Sequence, residues 1–90
     1  MTQNEKRARK KARISQYKTS FMKGNDRTAR EGKSVYIIPE FHERLQRIVH
    51  VIGGNKLTIF NYLHNILEQH FNEYGEDIKA IFNEKQKPIL

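Results

Sequence analysis

The sequence predicts a mainly α-helical chain with one short strand. Three observations carry that expectation. The β-branched and aromatic run Lys33-Ser34-Val35-Tyr36-Ile37-Ile38 stops at Pro39. Two stretches with apolar residues at helical spacing follow it, parted by Gly53-Gly54-Asn55. A cationic segment precedes all of them. Residues 1–31 hold ten Lys and Arg against three acids, whereas residues 32–90 hold seven of each, so the whole net charge of +7 lies in the first third.

The organisation follows from that asymmetry. Residues 1–31 scatter only Ile14, Tyr17, Phe21 and Met22 among polar groups, too little apolar surface to offset the entropy of ordering. They are expected to form a flexible basic N-terminal arm. Its stretch Glu5–Tyr17 is rich in Ala, Lys and Arg and becomes helical once a polyanion neutralises it. Gly24-Asn25-Asp26 breaks that helix, and Gly32 opens the second region, residues 32–90.

In the strand, side chains alternate, so Val35 and Ile37 face inward and Ser34 and Tyr36 outward. Pro39 suits the first position of a helix, where its missing N–H costs nothing. From Glu40 to Ile52, the residues Phe41, Leu45, Ile48, Val49 and Ile52 fall on one arc of roughly 100°, the width of a single core-facing stripe. Thr58 is placed to cap a second helix running to about Tyr74. Its apolar residues, from Tyr62 through Ile66 and Leu63 to Phe71, spread over roughly 180°. Gly75 is expected to end it, with a short third helix carrying Ile78, Ile81 and Phe82 and a frayed end over 85–90.

About 59 residues remain for a core, a size that is marginal for a monomer. With no Cys, disulfides and thiolate zinc sites are excluded. Association is the remaining device. A lone strand also needs a ladder partner for its backbone groups. Two copies pairing strand to strand supply it, giving an intertwined homodimer with an intermolecular two-stranded antiparallel ribbon above interlocked helices.

At Lys33–Tyr74, the order strand, Pro-Glu-Phe-His-Glu-Arg-Leu helix, Gly turn and Thr-capped helix resembles the ribbon-helix-helix family of dimeric DNA-binding proteins. The whole chain also resembles small basic proteins of Bacteroidetes conjugative transposons. That second likeness rests on Ser34-Val35-Tyr36-Ile37, Phe41-His42-Glu43-Arg44-Leu45 and Ile48–Lys56. The first resemblance implies a ribbon inserted in the major groove of double-stranded DNA, with Ser34 and Tyr36 on base edges and Lys33 on a phosphate beside them. Tyr36 lacks the bidentate match to A or G that related ribbons carry there, which implies modest sequence discrimination. The family also anchors a phosphate at the start of the second helix, here Lys56, Thr58 and the amides of Ile59 and Phe60. Helix N-termini favour anions on general grounds as well. On the arm, Lys6, Arg7, Arg9, Lys10, Lys11 and Arg13 are the expected phosphate contacts.

The resulting expectation is a cytoplasmic, nucleoid-associated DNA-binding homodimer, an accessory or regulatory factor of a mobile genetic element acting in transfer, excision or transcription. Partner proteins of the same element fit that role. Two alternatives stay open. One is an antitoxin-type transcriptional repressor. The other is a protein-interaction module whose arm binds RNA or an acidic partner. An enzyme is not expected: no nucleophile elbow, phosphate loop or metalloprotease pattern occurs, and no small-molecule substrate or cofactor is implied. His42, His50, His64 and His70 are never three or four apart, so no helical metal pair forms. No apolar run approaches a membrane span, and no signal-peptide apolar region is present.

Overall fold

The computed structural model describes residues 2–25, 29–86 and 88. Three helices build it: α1 (Gln3–Phe21), α2 (Pro39–Val51) and α3 (Ile59–Lys85), with a single 3₁₀ turn at Ala29–Glu31. Helix α2 begins with Pro39 at its first position, and Arg44 reaches back one turn to Glu40 at 2.7 Å. Its stripe turns toward α3. Val49 is buried, Leu45 and Ile48 are partly buried, and Phe41 and Ile52 at the ends of the stripe stay half exposed.

The α2–α3 turn is set by close approach and backbone handedness. A Cβ on Gly53 would lie 2.4 Å from the Val49 carbonyl oxygen and 2.9 Å from the Leu57 Cβ, so no side chain fits there. Gly54 and Asn55 take positive φ angles of 58° and 65°, a region glycine and asparagine enter most readily. His50 Nδ1 pairs with Asn55 Oδ1 at 2.7 Å, and the Lys56 amide donates to the Gly53 carbonyl at 3.0 Å. Thr58 then caps α3, its Oγ1 accepting from the Asn61 amide at 3.0 Å.

Helix α3 runs without a break for 27 residues, through Gly75. The expected stop there gives way to one long helix. An interior Gly costs only about 1 kcal/mol relative to Ala, which helix formers such as Glu73, Glu76, Lys79 and Ala80 can offset. Of the frayed end expected over 85–90, Lys85 is still in α3, Gln86 caps it and Pro88 is irregular, while residues 87, 89 and 90 lie outside the described residues.

Two expectations are corrected. No strand occurs among the described residues, and Lys33–Ile38 is irregular chain without a ladder. Val35 is 77% exposed, and the Tyr36 side chain is wholly in solvent. The inward and outward alternation of a ribbon strand is therefore absent. The ribbon-helix-helix fold, with its two-stranded antiparallel ribbon and the intertwined homodimer built on it, is replaced by an all-helical arrangement. The arm is the second correction: it folds as α1 and packs on α3 of its own chain. That contact covers part of the wide α3 surface that a second subunit was expected to cover. The core is small. Val49, Leu57 and Tyr62 are the buried hydrophobics among the described residues, flanked by Met22, Leu45, Ile48, Ile59 and Ile66.

Candidate nucleic-acid interface

Helix α1 starts where Thr2 Oγ1 accepts from the Glu5 amide at 3.2 Å, with Glu5 in the first turn and Lys18 in the last, the charge order a helix dipole favours. Its last turns hold it to the body. Tyr17 and Phe21 stack with ring centroids 4.7 Å apart, and the Tyr17 hydroxyl hydrogen-bonds the Tyr62 hydroxyl. Asn65, only 2% exposed, donates its side-chain amide to the carbonyls of Phe21 and Lys23, both at 2.7 Å. The Phe21 carbonyl ends α1 and the Lys23 carbonyl lies just past its C-cap Met22, so Asn65 acts as a C-terminal cap from another helix. Lys23 and His64 both reach Glu68, at 3.4 and 3.2 Å.

Held at that end, α1 presents seven cations against a single acid: Lys6, Arg7, Arg9, Lys10, Lys11, Arg13 and Lys18. All seven are exposed, and among the described residues none is in an ion pair. At 1.5 Å per residue the helix is about 28 Å long. An open groove of about 470 Å³ runs between α1 and the end of α2. Ile14, Tyr17 and Ile52 form its apolar floor, and Lys10, Arg13 and Lys18 its cationic rim.

The other expected contacts lie elsewhere. Gly32 packs against the Phe60 ring, 3.2 Å from where its Cβ would stand, so Lys33 leaves the body beside the first turn of α3. Lys56 is exposed on the turn before that helix. The Thr58 hydroxyl oxygen is engaged by its own helix, and Ile59 is half-buried. Ser34 and Tyr36 stand on the exposed irregular segment. Thus Lys6, Arg7, Arg9, Lys10, Lys11 and Arg13 share one rigid rod, while Lys33, Lys56, Thr58 and Ile59 gather at the N-terminus of α3. Sequence reasoning counted Lys18 in the basic arm but not among the phosphate contacts, and missed Tyr17, Tyr62 and Asn65 as the groups that aim the helix. Asn65 gave no signal, because polar residues on a helix normally face water.

Two measurements probe this anchor. Asn65→Asp would set a carboxylate against two carbonyl oxygens, and the lost bonds alone are worth about 1–3 kcal/mol. The expected result is loss of amide-exchange protection in α1 with α2 and α3 still folded. Unchanged protection would refute the anchoring role. The Tyr62 hydroxyl is pushed well above the usual tyrosine range, first by burial and then by its bond to Tyr17. A raised folded-state pKa adds stability that is complete below the unfolded value of about 10 and shrinks as pH climbs beyond it. The melting temperature of the wild type should therefore fall more steeply above about pH 10 than that of Tyr62→Phe; parallel curves would contradict the burial.

The fold and site define a small chain with three α-helices among its described residues, one of them cationic and anchored at one end. The chain belongs to the DUF3408 family, whose model matches residues 1–85 and is described as a protein of unknown function. No curated protein and no solved structure matches it. Among the described residues, no helix is long and apolar enough to cross a membrane.

Proposed function

We propose that the chain binds double-stranded DNA, with α1 laid on the phosphate backbone and its contacts largely blind to sequence. One observation carries this reading: seven exposed cations, none in an ion pair among the described residues, on a single helix that the body holds by its last turns. Such a rod neutralises closely spaced phosphates and releases their counterions. Lys33 and Lys56, beside the start of α3, are a second and smaller group of exposed cations. The reading needs no catalytic group. The resemblance to proteins of conjugative transposons supports a role as an accessory or regulatory factor of a mobile element, in transfer, excision or transcription.

Fluorescence anisotropy with labelled duplex DNA, single-stranded RNA and an acidic peptide tests it across a salt series. With about six phosphate contacts, log K against log salt should fall with a slope near −5 on duplex DNA. Tighter binding to the RNA or to the peptide than to the duplex would overturn the proposal.

A further inference from the structure

The C-terminal half of α3 carries an apolar stripe that no other helix covers among the described residues. Leu67, Phe71, Tyr74, Ile78 and Ile81 are all exposed by about 40–60%, and Phe82 adjoins them at 58%. Their spacing is four, three, four, three, the 3.5-residue period of a coiled-coil seam rather than the broader stripe of a helix lying on a core. The opposite side of the same helix is polar, with Gln69, Asn72, Glu73, Glu76, Lys79 and Asn83. We infer that this stripe is a homodimerisation seam, in which α3 of one copy packs in parallel against α3 of a second copy.

Three features favour a second copy of this chain. The first is area. Six half-exposed side chains, the aromatics alone presenting 150–250 Å² each when fully free, offer on the order of 600 Å² per copy. Two copies then bury about 1,200 Å², the lower end for a stable specific interface. The second is stability, since the three buried hydrophobics among the described residues make a weak core for a 90-residue chain. The third is charge at the seam's flanks. In a parallel pair, His70 meets Gly75 of the partner subunit and Asp77 meets Phe82 of the partner subunit, so no like charges oppose each other. Reversing one helix so that Phe71 meets Ile81 of the partner subunit would set the two Asp77 carboxylates together. The parallel arrangement also sends both α1 helices from the same end of the seam. The inference does not depend on DNA binding, and the seam is distinct from a strand-paired ribbon.

The test is the mass of the full chain by sedimentation equilibrium without nucleic acid. A dimer is expected at about 100 μM, and a monomer there overturns the inference. Ile78→Asp should weaken the dimer by about 30-fold or more, the effect of losing a central anchor residue. Because Ile78 is partly exposed in the single chain, the monomer should keep its helical circular dichroism. Glu76→Gln, on the polar side, should leave the dimer unchanged. A dimer indifferent to Ile78→Asp would place the contact elsewhere. Orientation is read from Ile81→Cys, in a chain with no cysteine of its own. The parallel seam sets the two sulfurs within disulfide reach, so mild oxidation should link the copies. A dimer that stays unlinked would refute the parallel register.

Discussion

Replacing Lys6, Arg9, Lys10 and Arg13 together with glutamine should weaken duplex DNA binding by on the order of 10²–10³-fold at about 0.1 M salt. Each lost phosphate contact removes close to one unit of salt slope, so the slope should flatten by roughly 3–4. Glutamine keeps nearly the helix propensity of lysine and arginine. The four side chains are exposed and make no ion pair among the described residues. The thermal melt should therefore stay where it was, which separates lost binding from lost folding. An unaltered salt slope would mean that α1 does not touch phosphates. Neutralising Lys33 and Lys56 instead should have a smaller effect, because two contacts rather than four are removed.

Gly53→Val should be the most damaging single substitution in the body. The space a Cβ needs is already taken by the Val49 carbonyl oxygen, which is backbone and cannot rotate away. Overpacking of this kind costs about 1–3 kcal/mol. In a domain this small, that lowers the melting temperature by roughly 5–20 °C. Gly54→Ala makes the useful comparison: its Cβ meets open space, and only the positive φ penalises it. Gly53→Val melting no lower than Gly54→Ala would show that the α2–α3 approach is looser than described.

Legibility in the sequence divides along a physical line. The Thr58 cap, Pro39 at the start of α2, the Gly54-Asn55 turn and the α2 stripe were readable, because each depends on residues within a turn or two along the chain. The Lys33–Ile38 run was misread. Its composition favours a strand, yet a strand exists only where another backbone pairs with it, and none does among the described residues. The arm was read as flexible because Tyr17 and Phe21 look isolated in sequence. Their partners Tyr62 and Asn65 lie more than 40 residues away. Helix α3 shows the difficulty most clearly. On a helical projection from Ile59, Asn65 falls at about 240°, well outside the apolar arc, yet it is more deeply buried than Val49, Leu57 or Tyr62.

By itself the sequence determined the charge asymmetry, the cationic content of residues 3–21, and the starts of α2 and α3. Composition and short-range spacing are local properties, and the chain carries them into any fold. Only the tertiary structure decided that the cationic segment is a helix fastened by its last turns. It also decided that one side of α3 is spent on α1 while the stripe from Leu67 to Phe82 stays open. Those outcomes turn on which side chains meet across the chain, and a buried asparagine whose side-chain N–H groups cap a distant helix makes contacts that no local pattern encodes.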